Sequence, residues 1–231
     1  MSVVPASFRA RVRSSIETPV ARLFGRLGFS PNALTLIGFG IAVVGAVLAA
    51  QQSWLIAGLV VGFGAAFDLF DGALARATGT SSKFGAFMDS VFDRAGEAVV
   101  YVGIVFGTLV SDYFFGAIAA SAALAAAFMV SYTRAKAESL GFSSGSGMAS
   151  VGLAPREVRS VILVIGLILA GSGPLVHIPP AGSICIDDCT LPNAFPLLAS
   201  LALIALLATI TTIQRIYFVY QQSKSINQED I

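Results

Sequence analysis

Four aspartates stand in two short segments of an otherwise greasy chain, Asp68 and Asp71 in "DLFDGALARA" and Asp89 and Asp93 in "DSVFD". Residues three or four apart share one face of a helix. If one helix reaches an interface with the first pair and the next starts back from it with the second, the pairs lie at similar depth and face each other. Ionisable groups in an apolar span are costly enough to mark function. Carboxylates crowded in a low dielectric repel and take up protons unless a cation joins them. One divalent ion, or two about 4 Å apart, removes that conflict. All-oxygen ligation favours Mg²⁺, Mn²⁺ or Ca²⁺ over zinc.

The neighbours of the aspartates suggest what such ions would serve. Gly72, Ala73 and Ala75 leave room beside the carboxylates, Arg76 is placed to meet a phosphate, and Gly85 repeats the small-residue theme one turn before Asp89. Carboxylates, metal, arginine and open space together suit a diphosphate. Close packing of membrane helices would also explain the glycines, but not the aspartates.

The elements that must carry these residues are membrane helices. Of 231 residues 56% are hydrophobic and 12% charged, and mean hydropathy is +0.83. Soluble domains carry about twice that charged fraction. A net charge of +1 gives no reason to expect nucleic acid. Six spans are expected, at about Ala33–Gln51, Trp54–Ala77, Phe84–Val110, Tyr113–Ser139, Val158–Gly171 and Phe195–Tyr220. Residues 1–30, with five arginines among apolar residues and no cleavable-signal pattern, read as an amphipathic helix on the membrane surface. The six-helix domain is expected over 31–222, with 223–231 as a tail.

All fourteen Lys and Arg residues fall in alternate connections or at the span ends beside them. The connections near 51–53, 111–112 and 171–193 contain none. By the positive-inside rule both termini, and the aspartates, face the cytoplasm of a multi-pass cell-membrane protein. The opposite side holds His177, to which no role falls, and "CIDDC", where Cys185 and Cys189 read as a structural disulfide or free thiols.

The run Asp68-x2-Asp71-Gly72-x2-Ala75-Arg76-x8-Gly85-x3-Asp89-x3-Asp93 resembles the complete motif of the CDP-alcohol phosphotransferases. "SPNALT" resembles that family's nucleotide-side segment, with Pro31 and Thr35 in place and Asn32 where an aspartate is usual. The resemblance implies an all-α membrane fold of six spans behind a surface helix, two Mg²⁺ or Mn²⁺ ions, and a homodimer. It implies that Asp68, Asp71 and Asp89 hold metal, with Asp93 completing the second site. Pro31, Asn32, Thr35, Gly72, Ala75, Arg76 and Gly85, with Asp68 and Asp71, would line the CDP site. Asp93 would be the catalytic base that takes the proton of an acceptor hydroxyl as it attacks the β-phosphorus and CMP leaves.

The acceptor must be read elsewhere. Arg134 in "SYTRAKAE", Arg156 and Arg159 in "APREVR" and Arg215 in "IQR" put basic groups at the cytoplasmic edges of later helices, which suits an acceptor carrying its own phosphate. The pattern is similar to that of phosphatidylinositol-phosphate synthases, with Arg134 where they have a lysine, Lys136 where they have an arginine, and Pro155 and Val158 in acidic positions. The expected reaction joins CDP-diacylglycerol to a soluble phosphorylated polyol, inositol phosphate first. Glycerol 3-phosphate is the nearest rival acceptor. An intramembrane prenyltransferase would not require these glycines and Arg76, and a divalent-cation transporter would need polar positions continuing across the bilayer.

Overall fold

The computed structural model describes residues 30–78, 82–142, 151–172 and 194–229, with side chains throughout except at 69–78, 194 and 225–229. The expected surface helix, most of the Gly/Ser-rich stretch, and the loop with His177, Cys185 and Cys189 lie outside these residues. Among the described residues the fold is all-α, with six helices: α1 Pro31–Ala50, α2 Trp54–Thr78, α3 Lys83–Val110, α4 Phe114–Ser139, α5 Arg156–Ser172 and α6 Ala194–Glu229.

Local chemistry sets their ends. Ser30 caps α1 by accepting from the Ala33 N–H at 3.2 Å, with Pro31 at the first position, where no N–H is needed. Ser82 caps α3 by accepting from the Gly85 N–H at 2.9 Å. The connections α1–α2 and α3–α4 are three-residue turns built alike. Gln52 (φ 62°) and Asp112 (φ 54°) take the left-handed conformation. The residue after each, Ser53 or Tyr113, then donates back to Leu48 or Thr108 at 2.9 and 2.8 Å. Helix α4 ends in a Schellman turn, with Gly141 at φ 82° and the Phe142 N–H on the Ala137 carbonyl at 3.0 Å.

Three helix bounds differ from expectation by more than a residue. Helix α1 starts two residues earlier, at Pro31, because of its cap. Helix α5 starts at Arg156, which puts two arginines in its first turn. Helix α6 runs nine residues beyond Tyr220, since "QQSKSINQE" contains neither Pro nor Gly to stop it.

The helices close into a ring in the order α1, α2, α5, α6, α4, α3, each packed on the next. Its centre holds Tyr101, Ile104, Leu167, Leu201 and Ile204, all but inaccessible to solvent, interleaved with Ala49, Ala57, Ala120 and Ala123. Small residues set the spacing. A Cβ at Gly103 of α3 would lie 2.2 Å from the Ala46 carbonyl oxygen of α1, and one at Gly107 would lie 2.3 Å from that of Ala49. The outside is apolar too, with Phe63, Phe106, Phe128 and Leu206 more than half exposed. Helices apolar on both faces belong in a bilayer. Pro31–Ala50, Phe114–Ser139 and Phe195–Lys224 are long and apolar enough to cross one, and α2 adds the apolar run Trp54–Asp68.

Candidate active site

The site forms where the ends of α2, α3 and α5 converge beside the start of α1. Asp68 comes from α2 and Asp93 from α3, and Arg156 is the first residue of α5. The Arg156 guanidinium spans both carboxylates, with Nη2 2.8 Å from Asp68 Oδ2 and Nη1 2.6 Å from Asp93 Oδ2. Carboxylates 25 positions apart in sequence therefore address one cation, as the two-helix reading expects. Asp89 lies one turn before Asp93 on α3, partly buried. Asp71, Gly72, Ala75 and Arg76 fall on the last turns of α2, and their side chains lie outside the described residues.

Helix α1 provides the wall behind Asp68. A Cβ at Gly38 would sit 2.8 Å from Asp68 Oδ1, so the carboxylate occupies the space a side chain would fill. Gly85 of α3 faces the start of α1 in the same way, since its Cβ would lie 3.3 Å from Asn32 Oδ1. Asn32 and Gly85, assigned to the nucleotide from separate segments, are thus neighbours. Thr35 is nearly buried, with its hydroxyl donating to the Pro31 carbonyl at 3.2 Å.

A cavity of about 50 Å³ lies against Asp68, Asp93, Arg156 and Glu97. Tyr101 Oη, which is fully buried, and Arg156 Nε have no hydrogen-bond partner there. A wider groove of about 390 Å³ starts at the same Asp68 and Arg156 and runs between α2 and α5 along Gly62, Ala65, Val161, Val164 and Ile165. One end of the site is therefore charged and the other apolar.

The arginines separate into different duties. Arg156, expected among the groups for an acceptor phosphate, pairs in this structure with the two carboxylates. Arg159 is 1% exposed and makes a bidentate pair with Glu97, at 2.9 Å from Nε and 2.8 Å from Nη2, while Nη1 donates to the Ala154 carbonyl at 3.0 Å. Arg215, 4% exposed, donates from Nε to the Val151 carbonyl at 3.0 Å and from Nη1 to that of Val130. Arg134 is exposed and pairs with Glu138 at 2.8 Å. Arg215 thus reaches the α4 carbonyl one turn before Arg134, and the Val151 carbonyl three residues before the Ala154 carbonyl that Arg159 holds.

Glu97 is the residue that sequence reasoning missed. It follows Asp93 by four positions on the same helix, and the rule that singled out the aspartates applies to it equally. Thr211 was also missed: its hydroxyl accepts from the Leu153 and Ala154 N–H groups at 3.1 and 3.0 Å, tying the approach to Arg156 onto α6.

The residues present fit a divalent cation. Two carboxylates from different helices already converge on one positive group, and every candidate donor is a hard oxygen. Among the described residues no three acidic, histidine or cysteine side chains cluster; Asp71 is outside that set.

Residues 29–213 match the family model described as CDP-alcohol phosphatidyltransferase. The archaetidylinositol phosphate synthase of Pyrococcus horikoshii is 39% identical over 160 residues, covering 68% of this chain and 80% of that one. The phosphatidylinositol phosphate synthase of Corynebacterium glutamicum is 36% identical over 161 residues, covering 68% and 71%. The phosphatidylinositol phosphate synthase of Mycobacterium tuberculosis has been solved with CDP-DAG bound, and that structure superposes with a TM-score of 0.73 at 28% identity over 89% of this chain and 94% of that one. Its complex with manganese and citrate gives the same TM-score at 29% identity, covering 89% of each. With the aspartate motif, the converging carboxylates and these matches together, the chain belongs to the CDP-alcohol phosphatidyltransferase family, as a membrane-embedded enzyme.

Proposed function

We propose that this enzyme transfers the phosphatidyl group of CDP-diacylglycerol to a hydroxyl of inositol phosphate and releases CMP. The observation that carries the reading is the convergence of Asp68 and Asp93 on Arg156, with Asp68 and Arg156 also at the polar end of a mostly apolar groove. A reaction between a lipid and a water-soluble alcohol needs both. The names of the relatives from Pyrococcus and Corynebacterium share inositol phosphate as the head group of the product, on an archaetidyl lipid in one and a phosphatidyl lipid in the other, which supports inositol phosphate as the acceptor here. The solved Mycobacterium protein, which holds CDP-DAG in one structure and manganese in another, supports the donor and a metal.

Asp68, Asp71 and Asp89 would hold divalent metal, Mg²⁺ or Mn²⁺, with Asp93 completing a second position. A cation bound there supplies charge neutralisation to the diphosphate. Asn32, Thr35, Gly72, Ala75, Arg76 and Gly85 would leave room for CDP and orient it. The Asp93 carboxylate takes the proton of the acceptor hydroxyl, whose oxygen forms a bond to the β-phosphorus while the bond to the CMP oxygen breaks. The lipid tails would follow the groove between α2 and α5, whose wall of Gly62, Ala65, Val161 and Val164 has no charge. Arg134, Arg159 and Arg215 would draw the acceptor's phosphate by their combined field. Six spans, with the site and both termini on the cytoplasmic side, accord with the distribution of Lys and Arg.

The test supplies purified protein with CDP-diacylglycerol, Mg²⁺ or Mn²⁺ and one alcohol at a time, and measures CMP. Inositol phosphate should release CMP, and free inositol should not. CMP with glycerol 3-phosphate alone would replace the acceptor, and no CMP with any alcohol would sink the reaction.

A further inference from the structure

The Arg156 guanidinium occupies one oxygen of each of two carboxylates that the proposed reaction needs for metal. Its Nη2 is on Asp68 Oδ2 at 2.8 Å and its Nη1 on Asp93 Oδ2 at 2.6 Å. A divalent ion drawn to the same oxygens competes with the guanidinium for the space and the negative charge between the helices. We propose that Arg156 is the built-in counter-cation of this site: it holds Asp68 and Asp93 together until a divalent ion displaces it, and so sets how tightly the site takes metal.

The placement of Arg156 fits a displaceable group. Its side chain is 31% exposed, against 1% for Arg159, whose three guanidinium nitrogens are all bonded. In the bridging position Arg156 Nε is buried without a partner, so the bridge leaves one donor unsatisfied that motion would release. The backbone leading to it, by contrast, is tied down. The Ala154 N–H is held by Thr211, the Ala154 carbonyl by Arg159, and the Val151 carbonyl by Arg215. A swing of the side chain therefore needs no movement of α5. Both the cavity and the groove open beside it, and a released guanidinium has a diphosphate oxygen as its next anion.

This inference rests on the metal reading of the site, and its test separates the two. Full-length protein in detergent micelles is titrated with Mn²⁺, and unbound ion is followed by electron paramagnetic resonance. Arg156→Ala should bind Mn²⁺ about tenfold tighter than the parent. Arg156→Lys, which keeps the charge but loses the planar fork that puts a separate nitrogen on each carboxylate, should fall between them and serves if the alanine variant does not fold. Arg94→Ala removes a nearby cation that bonds instead to the Ser90 carbonyl, and should shift affinity by less than about threefold. Phenylglyoxal labelling read by mass spectrometry should reach Arg156 faster in Mn²⁺ than in chelator. Unchanged or weaker Mn²⁺ binding in both Arg156 variants, equal tightening in Arg94→Ala, or labelling indifferent to metal would overturn the inference alone. Absence of Mn²⁺ binding in the parent, or undiminished binding in Asp68→Asn, would overturn the metal reading and the inference with it.

Discussion

At the scale of single residues, two carboxylates one turn apart on one helix have different arginine partners. Asp93 faces Arg156 at the cavity, while Glu97, one turn deeper, is committed to Arg159. Asp93→Asn should lower CMP release by at least about 10²-fold and leave CDP-diacylglycerol binding in place; a variant with normal turnover would remove Asp93 as the base. Glu97→Ala should behave differently. It strands a buried guanidinium and should cost about 3–5 kcal/mol of stability, seen as a lower midpoint in thermal unfolding. Replacing Glu97 and Arg159 together by Leu and Met should recover much of that loss; a double variant no better than either single would mean that the pair is not the stabilising unit. If Arg159 also draws the acceptor phosphate, Arg159→Ala should raise the acceptor KM well above any change in donor KM. The four aspartates were legible because cost and spacing both act within one chain segment. The duties of Arg156, Arg159 and Arg215 were not, because a long guanidinium takes whichever carboxylate or carbonyl the tertiary fold brings near, and sequence spacing does not specify that neighbour.

At the scale of elements, the helices were legible from apolar length, and their caps and turn residues explain most of their ends. What hydropathy alone does not show is that α3 and α5 each carry a cluster of ionisable residues toward one end: Asp89, Asp93 and Glu97 in one, Arg156, Glu157 and Arg159 in the other. How close two helices run is written in the small residues, but only once the partner is known. Gly103→Leu would drive a side chain into the Ala46 carbonyl, where even a Cβ would be 2.2 Å away, and should abolish a folded, monodisperse product on size-exclusion chromatography. Gly40→Ala, on the same helix as Ala46 but with nothing within 4 Å of the added Cβ, should be neutral or stabilising by up to about 1 kcal/mol. If both behave alike, close packing of α1 on α3 is not what those glycines supply.

At the scale of the whole molecule, the ring order is what no local pattern contained, because it depends on which helix faces which across the bundle. It places α1 opposite α6, with α2 and α3 flanking the first and α5 and α4 flanking the second. The nucleotide and carboxylate positions Asn32, Thr35, Asp68, Asp71, Gly85, Asp89 and Asp93 all belong to the half made of α1–α3. The basic positions Arg134, Arg156, Arg159 and Arg215 all belong to the half made of α4–α6. The proposed roles thus divide at the Asp112 turn, with the positions proposed for CDP and metal before it and those proposed for the alcohol's phosphate after it. Such a division lets a new alcohol be adopted by exchanging the second half while the first keeps its chemistry. A chimera carrying residues 113–231 from a relative with a different acceptor, with Glu97 and its arginine retained, should release CMP with the relative's alcohol and keep the parent's metal requirement. A chimera that folds yet keeps the parent's acceptor would place that choice in the first half instead.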